Sequence, residues 1–247
     1  MEKILLVDFF VGCGGMSAGM VASGMFDLLC GVDIDAVKLS MLAANFPHAT
    51  ILNWELECDN DSFEHDPIPS DAKDMLDAIV RLAIDRYSSQ KKKDLKAWGA
   101  SCKRGGYKYP QHLPKIHMHG SPSCVDFSKA KTRGTGVQSS NTMRWYSGFI
   151  TFLREKGFEH TMSMEEAYEV SSNLERKSPY TDKGKEKQRR VAHSTIVELL
   201  GGVKRRDDYR QEFDPEQTYY YVVDYEECGL PARGRRTFVC HGWEPLL

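Results

Sequence analysis

Two groups of residues in this chain have the types and spacing for chemistry. The first is Gly12, Gly14 and Gly15, in the stretch VDFFVGCGGMSAG, with Asp33 about twenty residues beyond them. Glycine lacks a Cβ that would hold a ligand away, so a glycine turn lets backbone N–H groups and a helix N-terminus come close to it. An acid at the end of the following strand accepts from ribose hydroxyls, and the pair points to a nucleoside-containing cofactor. The second is Cys124, in GSPSCVDFS. A cysteine just past a strand end, in a proline-containing loop, exposes its thiol at the rim of a sheet, where its thiolate can act as a nucleophile.

Certain elements must position these residues. Residues 4 to 10 form a short apolar run, as a strand buried on both faces requires, and Met16 to Gly24 can form the helix after the glycine turn. A second apolar run, Leu28 to Val32, ends at Asp33. Further on, the patterns predict a helix over Ala36 to Asn45, a strand over Thr50 to Leu52, and a strand over Ile116 to His119. A helix over about Met143 to Glu155, a strand over His160 to Met164 and a helix near Val191 to Leu200 follow, then strands near Tyr219 to Val223 and Arg236 to Cys240. This alternation predicts an α/β fold: a mostly parallel sheet with helices on both faces, and ligands at the carboxyl ends of the strands.

Composition narrows the function classes. The chain has 247 residues, 41% hydrophobic and 28% charged, enough for a sizeable core in one large domain. The expected organisation is a single domain over 1–247, with an insertion at about 58–114 that is longer than a compact α/β connection requires. No apolar run reaches the roughly 20 residues needed to span a bilayer, so no membrane partner is expected and the protein is expected inside the cell, in nucleus or cytoplasm. Seven cysteines without a C-x-x-C pair point to neither a disulfide framework nor a zinc ribbon. His112, His117 and His119 lack a thiol or acidic partner at suitable spacing, so no metal is expected. The net charge of −2 does not by itself indicate a polyanionic partner. The lysines between Lys91 and Lys108, and the basic run from Arg176 to Arg190, are either solvated faces or phosphate contacts beside a cleft.

Four blocks, DFFVGCGGMSAG, GVDIDAVKLSMLAANFP, GSPSCVDFS and DYEECGLPARGRRTFV, occur in the order and approximate spacing of the cytosine-C5 DNA methyltransferase family, which the chain resembles discontinuously from end to end. The resemblance implies a Rossmann-like methyltransferase fold, S-adenosyl-L-methionine as cofactor and DNA as substrate. It assigns Phe10, Gly12, Gly14, Gly15 and Pro122 to the cofactor pocket, Asp33 to the ribose hydroxyls and Ile34 to the adenine face. Glu55 falls where the family usually has an Asp that accepts from the adenine amino group. Cys124 corresponds to the nucleophile that adds to C6 of cytosine. Glu165 best matches the acid that serves N3 of the base, with Glu166 and Glu169 as alternatives. Arg236 matches an arginine that contacts the base edge and the thiolate side of the pocket.

The chain also departs from the family pattern. Ser123 stands for a Pro and Val125 for a Gln around the cysteine, while Ala232 and Gly234 replace a Gln and an Arg before Arg236. These departures bear on activity more than on fold. Family members usually continue past the arginine block into a target-recognition region and a final helix, and a second chain supplying target recognition is one expectation. Two rivals share the same residues: a methyltransferase acting on RNA, since members of this family methylate tRNA, and a catalytically weak cofactor-binding subunit. A nicotinamide oxidoreductase would leave the Cys124 and arginine blocks unexplained.

Overall fold

The computed structural model describes residues 3–55, 70–88, 114–122, 149, 152–153, 155–167, 203–205, 213–214, 217–226 and 234–242. The chain divides into two compact units. One comprises Met1–Glu55, Glu64–Met118 and Gly148–His160, the other Leu56–Phe63, His119–Ser147 and Thr161–Leu247.

In the first unit the opening apolar run is a strand, β1 (Ile4–Phe9), followed by α1 (Gly15–Ala22), β2 (Phe26–Asp33), α2 (Ala36–Asn45) and β3 (Thr50–Asn53). β2 pairs in parallel with both β1 and β3. β1 and β2 are buried along almost their whole length, the reason their sequences read as continuous apolar runs rather than alternating ones. α2 begins at Asp35, whose side chain accepts the N–H groups of Val37 at 3.0 Å and Lys38 at 3.2 Å and so satisfies donors that the first turn leaves unpaired.

One element of this unit was not foreseen from the sequence. α3 (Ser70–Ser88) lies inside the 58–114 stretch and buries Met75, Leu76, Ile79, Val80, Ala83 and Ile84. Leu76, Ile79 and Val80 line the same small apolar cavity as Val7, Phe9 and Ile116, so this helix contributes to the core under β1. Near its end Arg86 donates to the Asp27 carboxylate at 3.2 Å, to the Leu28 carbonyl at 2.9 Å, and to the His48 carbonyl. β4 (Ile116–Gly120) completes the order β3-β2-β1-β4, with Leu5 N–H donating to the Lys115 carbonyl at 2.9 Å.

The remaining strands are β5 (His160–Ala167), β6 (Val203–Arg205), β7 (Thr218–Asp224) and β8 (Arg235–His241), in the order β5-β8-β7-β6. β6 and β7 are parallel, whereas β8 is antiparallel to both β5 and β7. The stretch between Asp224 and Arg235 is too short for the crossover of a dozen or so residues that a parallel pair needs. β6 was not foreseen. Phe149, Phe152, Leu153 and Glu155 of the expected 143–155 helix are helical, and the helix expected near 191–200 lies outside the described residues. The fold is mixed α/β, with parallel pairing prevailing. No helix among the described residues is long and apolar enough to cross a membrane.

Candidate functional site

The glycine turn of the first unit is built around backbone conformations that side chains resist. Phe10, at φ 59°, occupies the left-handed region, which a bulky residue adopts at a cost of about 1–3 kcal/mol and keeps only where its surroundings hold it. Gly12 (φ 55°) and Gly14 (φ 83°) follow in the same region. A Cβ on Gly12 would meet no atom within 4 Å, so this part of the loop borders open space where a ligand's backbone contacts could form. Gly14 is the N-cap of α1, of which Gly15 is the first residue, and it has no side chain to accept from the helix's leading N–H groups.

Asp33 closes this turn from β2. Its Oδ2 accepts the Gly12 N–H at 2.8 Å and its Oδ1 accepts the Asp35 N–H at 2.9 Å. Each carboxylate oxygen has two lone pairs, so each can take one more donor. The Asp33 carbonyl accepts the Trp54 N–H at 3.0 Å and the Asn53 amide at 3.2 Å, and the same amide donates to the Ile34 carbonyl at 2.7 Å. The end of β3 is thus tied to Asp33 and Ile34, with Glu55, exposed, next along the chain. Ile34 is 60% exposed beside the nearly buried Asp33, an uncovered apolar side chain next to a carboxylate. Open glycine backbone, spare carboxylate acceptors and an uncovered apolar side chain are features that a nucleoside-containing ligand can use.

Asp8 is a titrating residue of this region that sequence reasoning missed. It is 2% exposed and accepts a hydrogen bond from the buried Ser17 hydroxyl. Burial pushes its carboxyl up to about 7, the Ser17 bond works against that rise, and the charge of Asp33 adds to it. The signal was an acid inside an otherwise apolar strand run, which no periodicity explains.

In the second unit Arg236 and Glu165 meet. Arg236 stands opposite Ala167 across the antiparallel β5–β8 pair, and Glu165 is the diagonal neighbour on the same face. The Arg236 Nε lies 2.6 Å from Glu165 Oε1, and its guanidinium lies 5.8 Å from the centre of the Tyr225 ring. Glu166 pairs with Thr237 on the opposite face, where both are buried, and Glu169 lies outside the described residues. Arg235 is taken by Asp224, Nε to Oδ2 at 3.1 Å. At the end of β4, Ser121 is half-buried and Pro122 buried. Cys124, Ser123, Val125, Ala232 and the basic runs at 91–108 and 176–190 lie outside the described residues.

No protein-family model and no curated protein matches the chain. Solved structures do. The Schizosaccharomyces pombe (S. pombe) Dnmt2 methyltransferase is 11% identical over 100% of this chain and 52% of its own, with a TM-score of 0.50. A candidate DNA modification methyltransferase encoded within a prophage (E. coli) is 16% identical over 96% of this chain and 46% of its own, at 0.46. The Entamoeba histolytica methyltransferase EhMeth is 10% identical over 97% and 53%, at 0.48. The chain spans about half the length of these structures. At such identities the likeness is one of fold, and the chain has the mixed α/β, Rossmann-like fold of the Dnmt2 structure.

Proposed function

We propose that the chain transfers a methyl group from S-adenosyl-L-methionine to C5 of cytosine in DNA, through a covalent bond between Cys124 and C6 of the base. The observation that carries this reading is the Arg236–Glu165 pair, 2.6 Å apart on one face of β5 and β8. Cytosine chemistry needs a carboxyl that can serve N3, and Glu165 supplies one beside Arg236.

The cofactor would supply an electrophilic methyl group, and Asp33 would hold its ribose hydroxyls, Ile34 its adenine, Glu55 the adenine amino group, and Phe10, Gly12, Gly14 and Gly15 the remainder. C5 of cytosine is too electron-poor to accept that methyl unaided. Addition of the Cys124 thiolate to C6 makes the ring enamine-like, with Glu165 donating a hydrogen bond or proton at N3 as charge builds there. Once Glu165 has given up that proton, Arg236 pairs with the carboxylate left behind through a charge-assisted bond. After C5 takes the methyl it loses its proton to solvent, the C6–S bond breaks, the thiolate returns and the N3 proton goes back to Glu165. The base must leave the helical stack for this, because its C6 is out of reach within a duplex.

Tritiated cofactor incubated with the protein and with duplex DNA or RNA separately tests the reading. Label recovered as 5-methylcytosine from DNA is the expected result. Label in RNA alone would move the substrate to RNA. Cofactor binding without transfer to either would replace the reading with that of a cofactor-binding subunit. In the same preparation Asp33→Ala should weaken cofactor binding by about 1–3 kcal/mol, because ribose hydroxyls would be left without acceptors.

A further inference from the structure

His119 is the last buried side chain of β4, 1% exposed, and both of its ring nitrogens are engaged. Nδ1 lies 2.8 Å from the Ser163 hydroxyl and Nε2 lies 3.3 Å from the Ser121 hydroxyl. Ser163 is on β5, two residues before Glu165, and alternation puts both on the same face of that strand. Ser121 opens the stretch that leaves β4, and Cys124 follows three residues later in the sequence. One imidazole therefore bridges Ser121, where the chain leaves β4, to the face that carries the Glu165–Arg236 pair.

We infer that His119 is a positioning residue: as a neutral bridge between Ser163 and Ser121 it sets where the Gly120–Pro122 stretch leaves the strand relative to the face carrying Glu165. A neutral imidazole has one N–H and one bare nitrogen, while each serine hydroxyl can donate or accept, so the chain Ser163–His119–Ser121 can be satisfied in either direction without charge. Burial pushes the imidazolium down to about 4, which keeps the bridge uncharged at neutral pH and unsuited to the role of a base. A buried neutral imidazole needs a partner at each ring nitrogen, and here one partner lies on β5 and the other on the residue that leaves β4.

The catalytic side of this inference rests on the methyl-transfer reading, so its test carries a readout that does not. Full-length wild type, His119→Leu, Ser121→Ala and His119→Gln would be compared by hydrogen exchange in peptides covering Gly120–Pro122, by melting temperature, and by the rate of covalent adduct formation with 5-fluorocytosine DNA and cofactor. Ser121→Ala removes only the loop end of the bridge, and His119→Gln retains a donor and acceptor near the Nε2 position. Ser121→Ala and His119→Leu should speed exchange in that stretch and slow adduct formation about tenfold, the effect of one lost hydrogen bond. Ser121→Ala should melt close to wild type, and His119→Gln should recover much of the rate. Exchange and adduct rate both unchanged in Ser121→Ala would overturn the inference. Faster exchange in a protein whose wild type forms no adduct would support the bridge and reject the methyl-transfer reading instead.

Discussion

Two aspartates about 25 residues apart show how far environment, more than residue type, decides a role. Asp33 sits at a strand end with two backbone N–H groups on its carboxylate. Its position was legible in the sequence because the distance from a glycine turn to the next strand end is fixed by the βαβ unit itself. Asp8 sits inside β1, in a run expected to be buried on both faces; what was not legible was its partner, since only packing brings the Ser17 hydroxyl of α1 to its carboxyl. With its carboxyl raised from 3.8 to about 7, the native chain binds this proton more tightly than the unfolded chain does. Its contribution to stability is therefore fully present below about pH 4 and is lost as pH rises through about 7. Asp8→Asn keeps an acceptor for Ser17 and has no charge to bury. In denaturant titrations it should be more stable than wild type near pH 8, by at most about 4 kcal/mol, and the gap should close toward pH 4. A gap that stays constant over this range would mean that Asp8 is not the titrating group.

The turn and the helices depend on how closely backbone can approach side chain. Leu42 of α2 is fully buried, and added Cβ atoms on Gly14 and Gly31 would lie 2.3 Å and 2.4 Å from its two methyl groups. Gly14 is therefore required twice, by its left-handed φ and by contact with a neighbouring helix. Gly14→Ala should destabilise the protein by about 1–3 kcal/mol. Adding Leu42→Ala should then cost less than it does alone, since it removes the clash; strict additivity in a double-mutant cycle would show that the steric account is wrong. Sequence patterns gave α2 to the residue, because its Asp35 cap and apolar spacing are local signals. α3 was missed although its apolar pairs recur at helical spacing, because the 58–114 stretch reads only as a long insertion without elements of its own. The antiparallel β8 went unforeseen for another reason: strand direction depends on which edge the chain returns to, and only the length of the β7–β8 connection hinted at it.

At the scale of the whole molecule, each unit contains one ingredient of the proposed reaction: the glycine turn with Asp33 in the first, and the Glu165–Arg236 pair with the His119 bridge in the second. Ordered motif blocks carried most of this in the sequence, because chemistry fixes residue types at strand ends. What they left open was which of several adjacent acids serves N3; among the described residues Glu165 lies beside Arg236, while Glu166 is on the opposite face. The central claim is that Cys124 forms and then releases a bond to the base, and the most direct measurement traps that bond. DNA carrying 5-fluorocytosine, incubated with the protein and S-adenosyl-L-methionine, should yield a protein–DNA adduct that survives denaturation, since fluorine at C5 cannot leave as a proton does. Cys124→Ser should bind cofactor as wild type does and form no adduct. An adduct that persists in Cys124→Ser, or none from the wild type on DNA that it methylates, would contradict the account.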